Sequence, residues 1–149
     1  MSGSKEKDGK TFTVNIERLE DYQFKVTFDE EEMGELVTDE TESVGGEGKG
    51  PNPSRLLAAS TLNCLMASLT FCLKKKRVEI DSLKGEVTAN VERIDGKLRV
   101  TGLNADIKPE LVDGSEKEKL KKCIDIFEDY CVVTQSIRKG VDVKVDVEV

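Results

Sequence analysis

The residue pattern predicts an α+β fold with antiparallel sheets packed around one long central helix. Three observations carry this reading. A segment from Pro53 to Lys76 is apolar or small and free of internal Gly and Pro. Five segments alternate apolar with polar residues. Two shorter helical patterns follow near the C-terminus, so helices and strands share one chain in the order an α+β domain requires.

Residues 1–10 are polar and rich in Gly, Ser and Lys, and are expected to form a flexible tail. Residues 11–149 then make a single domain by size. Thr11–Arg18 and Tyr22–Phe28 alternate around a Glu20-Asp21 turn, which predicts a hairpin with one wet face. Glu35–Asp39 adds a shorter strand, and Gly45–Gly50 is expected to be a flexible loop. No Gly-Lys-Ser/Thr opens the helix that follows, so that loop is not a nucleotide phosphate loop. Asn52 suits the N-cap, Pro53 the first helical position, and Lys74–Arg77 the negative end of the helix dipole.

Ser82–Arg93 and Lys97–Ile107 alternate on either side of Asp95-Gly96, a second hairpin that Pro109 is expected to end. Ser115 and Glu118 have capping-box spacing, and Leu120, Cys123, Ile124, Phe127 and Tyr130 form a helical stripe behind them. Cys131–Lys139 reads as a short helix stopped by Gly140, and Val141–Val149 as a closing strand.

The long helix is apolar on most faces, through Leu56, Leu57, Leu62, Leu65, Met66 and Leu69. Ser60, Thr61, Asn63, Ser68 and Thr70 interrupt the run, and a bilayer span needs about 20 mostly apolar residues, which favours a soluble core helix and no membrane contact. One sheet with a single dry face covers about half of such a cylinder. A second copy of the chain is therefore expected to cover the rest in an obligate homodimer, with this helix near the twofold axis.

Thirty acidic against 23 basic residues leave a net charge of −7 and no basic stripe for nucleic acid. The 36% charged composition without Trp fits a heat-adapted protein. No charged start leads into an apolar stretch, so no secretory signal is read and the cytoplasm is expected. There, four cysteines are expected to be thiols with chemistry more than structural disulfides. The absence of histidine removes Ser-His and Cys-His dyads and His-based metal sites.

The cysteines stand at 64, 72, 123 and 131, with no Cys-x-x-Cys pair, which argues against a zinc ribbon or thioredoxin motif. Cys72 and Cys123 read as small hydrophobes on helix faces. Cys64 lies among Ser, Thr and Asn able to donate to a thiolate, and Cys131 at a helix junction whose amides lower a thiol pKa. On residues alone, a Cys64–Cys131 redox couple and simple burial of both stay open.

Gly50-Pro51-Asn52-Pro53-Ser54-Arg55-Leu56-Leu57-Ala58-Ala59 leading to Cys64 resembles the signature of the OsmC/Ohr superfamily, the osmotically inducible and organic hydroperoxide resistance proteins. Cys131-Val132-Val133-Thr134 with Gly140 and the closing strand is similar to that family's Cys-Pro-Val-Ser-like motif. The resemblance spans about Thr11 to Val149. It implies an intertwined homodimer with sites at the subunit interface, no metal or organic cofactor, and thiol peroxidase chemistry. Cys64 would attack a small hydroperoxide, Cys131 would resolve the sulfenic acid to a disulfide, and an external thiol would reduce it. Ser54-Arg55 stand where the family commonly has Glu, no Arg occurs between Arg18 and Arg55, and Val132 replaces Pro. Arg55 is the remaining candidate to lower the thiol pKa and orient the peroxide. Two functions follow: a peroxidase acting on organic hydroperoxides, or a non-catalytic dimer that binds a small apolar or thiol-reactive ligand in its cleft.

Overall fold

The computed structural model describes residues 9–149, so most of the tail expected at 1–10 lies outside the described residues. The chain divides into two compact units, the first ending at Pro53 and the second running Ser54–Val149.

In the first unit, β1 (Asn15–Glu20), β2 (Gln23–Thr27) and β3 (Glu35–Thr38) form an antiparallel sheet in that order. Asp21 turns the first hairpin with φ of 48°, a region that Asp tolerates better than most residues. The register pairs Ile16 with Val26 and Phe24 with Thr38. Only Val26 and Thr38 among the strand residues are buried, and all of β1 is exposed.

The glycine loop is more organised than its composition suggests. Asp39, almost fully buried, accepts the backbone N–H groups of Glu40 (2.7 Å), Lys49 (3.1 Å) and Glu47 (3.2 Å). Burial opposes its ionisation, yet those amides and Gln23 together hold the carboxyl below its ordinary value. Gly50 meets the carbonyl of Val37 so closely that no side chain fits there.

In the second unit, α1 (Pro53–Lys75) buries Ala58, Thr61, Leu65, Leu69 and Leu73, one stripe along its length. Beside it runs a long two-stranded ribbon, β4 (Ile80–Ile94) and β5 (Lys97–Leu111), turned by Asp95-Gly96 as the sequence predicts. A two-stranded ribbon is marginal alone. This one is covered where Ile80, Leu83, Ile107 and Leu111 pack on Leu69, Leu73 and Val78. At Gly85 a Cβ would collide with Met66 and Leu62 of α1, so the bare backbone sets the close approach of helix and ribbon.

Pro109 does not end the ribbon: it pairs with Leu83 inside β5. With β4 as the strand's one partner among the described residues, a residue without an N–H can face the free edge. Ser115 and Glu118 do not form the capping box; Asp113 accepts the Ser115 N–H at 3.0 Å, and a 3-10 turn at Gly114–Glu116 leads into α2 (Lys117–Ile126). Val141–Val149 alternates but forms no strand, because no partner strand meets it within the described residues.

After α2, a 3-10 turn at Phe127–Tyr130 breaks the expected helical stripe, leaving Tyr130 exposed. The last helix, α3 (Val132–Lys139), ends at Gly140 with φ of 77°, the left-handed stop its sequence predicts. The 23-residue α1 is long and apolar enough to cross a bilayer, contrary to the reading that its polar residues leave it too short. Its packing as a core helix rests on the contacts of Leu69 and Leu73 with the ribbon and α2.

Candidate active site

Cys64 lies in the middle of α1, one residue before the buried Leu65, and is partly buried. Cys131 lies much later in the second unit, in the single extended residue between the 3-10 turn and α3. That residue is held from both sides. The Cys131 N–H donates to the Glu128 carbonyl at 3.1 Å, and the Gln135 N–H donates to the Cys131 carbonyl at 3.0 Å. The Gln135 side chain reaches back to the same Glu128 carbonyl at 3.1 Å. Arg138, in the last turn of α3, donates to the Glu128 carboxylate at 2.7 Å.

This frame aims the start of α3 at α1. The N–H of Val133, one of the unpaired amides of a first helical turn, donates to Cys64 Sγ at 3.4 Å. Cys131 is 0% exposed, and its Sγ–H donates to Thr134 Oγ1 at 3.0 Å. Two thiols 67 residues apart in sequence thus share one small polar site.

Burial, above all, pushes the Cys64 thiol up; the neighbouring Cys131 adds to the rise, and the Val133 and Val132 amides oppose it. Cys131 moves the other way. Burial opposes its ionisation, but bonds from Thr134 and Cys64 and the amides of α3 outweigh it and lower the thiol. The two titrate as a pair, with the first proton leaving the Cys131 side.

The residues named from sequence fall unevenly around this site. Cys64 and Cys131 are brought together. Arg55 is exposed in the first turn of α1, nine residues before Cys64. That is about 14 Å along the axis and on the opposite face of the helix, so within its own chain Arg55 does not reach the thiol. Ser60, expected to donate to Cys64, donates instead to the Leu57 carbonyl of its own helix at 2.9 Å. Cys72 and Cys123, read as packed thiols, are joined in a disulfide between α1 and α2, with Cα atoms 5.7 Å apart. Helix faces that the sequence treats separately are packed against each other, within reach of a bridge. Thr134 stood in the second motif with no role of its own. A hydroxyl one turn after Cys131 is the signal that points to it.

A cavity of about 430 Å³ opens beside Thr134, lined in part by Leu57, Leu65, Leu103, Phe127 and Arg138. Its walls are mostly apolar, with threonines and the Glu128–Arg138 ion pair among its lining residues. Among the described residues, no cluster of His, Cys, Asp or Glu gathers where a metal ion would be held.

Fold and site together define a two-thiol protein built on an α+β scaffold, with its sulfurs delivered by a core helix and by the start of a short C-terminal helix. The profile of the OsmC-like proteins matches residues 46–146, and the chain belongs to that family. It is 27% identical over 100 residues to the organic hydroperoxide resistance protein OhrB of Bacillus subtilis, covering 66% of this chain and 71% of OhrB. Among solved structures it resembles a hypothetical protein of Aquifex aeolicus, with TM-score 0.69, 21% identity and coverage of 91% and 93% of the two chains. It also resembles the organic hydroperoxide resistance protein OsmC of Legionella pneumophila, with TM-score 0.64, 16% identity and coverage of 91% and 94%.

Proposed function

We propose that the protein is a thiol-dependent peroxidase that reduces organic hydroperoxides, and hydrogen peroxide as a lesser substrate, in oxidative-stress defence. The observation that carries this is the meeting of Cys64 and Cys131 under the N–H of Val133. The name of OhrB supports the substrate class. In the first step Cys64 sulfur attacks the distal oxygen of the hydroperoxide. The O–O bond breaks, the Cys64 proton goes to the departing alkoxide, and an alcohol leaves behind a Cys64 sulfenic acid. Cys131, as thiolate, then attacks that sulfur; the S–O bond breaks, hydroxide leaves as water after taking a proton, and a disulfide remains. An external dithiol returns both cysteines to the reduced state.

The test is consumption of an organic hydroperoxide by the purified protein with a dithiol as reductant. Turnover supports the reading; a protein that consumes none and forms no sulfenic acid at Cys64 refutes it. The second reading, a ligand-binding member of the family without peroxidase activity, is favoured by the rise in the Cys64 thiol, since a nucleophile gains from the opposite shift. It predicts saturable binding in the apolar cavity with Cys64 unchanged by peroxide.

The assembly proposed is a homodimer in the cytoplasm. Two strand-forming surfaces support it: β1 is exposed over its whole length, and Val141–Val149 presents alternating valines with no partner strand among the described residues, Val143 being 77% exposed. Open strand edges of this kind invite pairing with another chain. Arg55 enters the proposal only across that boundary, as a cation offered to the thiol of the other copy. The Cys72–Cys123 disulfide is compatible with the cytoplasm under the exception that heat-adapted organisms provide.

A further inference from the structure

Two sulfurs at one site are not equivalent, and the structure shows what separates them. Cys64 is partly open, while Cys131 is fully enclosed and its sulfur faces the hydroxyl of Thr134, a residue only 7% exposed. A hydroxyl held against a buried sulfur acts in a low local dielectric, where its bond to a charged sulfur is stronger than in water. Thr134 sits three residues after Cys131, on the first turn of α3, where its χ1 freedom is small and its position is set by the helix.

We propose that Thr134 is a positioning residue for Cys131: its hydroxyl holds the sulfur in place and donates to it when charged, making Cys131 the thiolate expelled during reduction of the Cys64–Cys131 disulfide. This rests on the two-thiol reading above. The step balances without further components. A thiolate of the external dithiol attacks Cys64, the exposed sulfur. Its electron pair forms the new S–S bond, the Cys64–Cys131 bond breaks, and that bond's pair departs on Cys131. The dithiol's second thiolate then displaces Cys64, leaving the reductant oxidised and both cysteines reduced. Attack at Cys131 is closed by burial, and attack at Cys64 is assisted because the better leaving thiolate departs faster. The lowering of Cys131 by Thr134 and Cys64 agrees with this order. Against the burial that raises that thiol, the groups that lower it are Thr134, Cys64 and the first amides of α3.

Cys64→Ser protein leaves Cys131 as the one free thiol, since Cys72 and Cys123 are bridged. Its ionisation is then read from thiolate absorbance in the ultraviolet, a measurement that needs neither peroxide nor access to the sulfur. In that background Thr134→Val should raise the midpoint by about one pH unit, the worth of a hydrogen bond to a charged group. Thr134→Ser, which keeps the hydroxyl, should restore it. With both cysteines present, dithiothreitol should reduce the oxidised Thr134→Val protein a few-fold more slowly than the parent, and the Ser variant at the parent rate. A monothiol should be trapped on Cys64. Equal midpoints in all three proteins, equal shifts in Val and Ser variants, or trapping on Cys131 would each overturn the proposal. A shifted midpoint in a protein that consumes no peroxide would sink the peroxidase reading and leave the role of Thr134 intact.

Discussion

Helix α1 takes part in two cysteine pairs, and they have opposite surroundings. Toward its C-terminal end, Cys72 bridges to Cys123 of α2 among Leu69, Leu73, Val78 and Leu120. In its middle, Cys64 faces Cys131 among a backbone amide and a hydroxyl, and the two stay thiols. The first pair sits in apolar packing that offers a thiolate nothing, so it suits a permanent link. The second has donors for a charged sulfur and one partly open member, which suits a pair that cycles. What distinguishes the staple from the proposed reactive couple is the polarity of the neighbours.

The sharpest way to break the comparison is to remove one sulfur from each pair. Cys64→Ser should lower peroxide turnover by about a thousandfold or more, as loss of a nucleophile does. The double variant Cys72→Ala/Cys123→Ala should turn over within a few-fold of the parent. Steady-state peroxide consumption with each protein checks both. Equal losses would mean that the two pairs are not functionally distinct.

The staple should instead show itself in stability. Its cysteines are 51 residues apart, and closing a loop of that length in the unfolded chain is worth about 4 kcal/mol by chain entropy. For a chain of this size that is a fall of roughly 10 °C in the thermal midpoint of the double Ala variant. Calorimetry with and without reductant tests it: a reductant should lower the parent toward the variant and leave the variant unmoved. A parent whose midpoint ignores complete reduction would show that the link is structurally idle.

Much of this contrast was legible in the residues, and the failures have physical causes. Strand alternation located both hairpins and Asp95-Gly96 marked the second turn, because Asp-Gly and the period of two are local signals. Motifs flanking Cys64 and Cys131 single these two cysteines out, and the fold brings them to one site. The Cys72–Cys123 bridge was not. Each cysteine alone looks like any small apolar residue on a helix, and only the packing of α1 on α2 brings them within bonding range. Val141–Val149 shows the reverse error. Its alternation states a preference for a strand, but a strand also needs a neighbour, and the chain by itself supplies none among the described residues. Arg55 is the remaining arginine near the motif, but nine residues of helix put it half a turn round from Cys64.

The pairs should also differ in pH response. Because burial raises the Cys64 thiol, its thiolate fraction at neutral pH is below that of a free cysteine. Its alkylation by iodoacetamide should therefore keep accelerating past the ordinary thiol value of about 8.5, while Cys72 and Cys123 stay unlabelled until reduced. Mass spectrometry of labelled peptides reads both. An inflection well below 8.5 would mean that a charge from outside this chain acts on Cys64. Arg55→Ala would then identify that charge by moving the inflection back up.

The smallest effect belongs to the surface tie that frames Cys131. Arg138 and Glu128 meet at 2.7 Å, but their side chains are 54% and 49% exposed, so water and salt screen the attraction. Arg138→Ala should cost under about 1 kcal/mol in denaturant unfolding, and high salt should shrink that difference further. The staple's covalent link has no such salt dependence. The Cys131 turn also keeps its backbone bonds to Glu128 and Gln135 when the ion pair is gone, so resolution of the Cys64 sulfenic acid should slow by no more than a few-fold. Stopped-flow measurement of disulfide formation after a single peroxide addition gives that rate. A collapse of resolution in Arg138→Ala, with stability barely changed, would show that the guanidinium acts on the thiols themselves, and the frame around Cys131 would have to be counted as part of the chemistry.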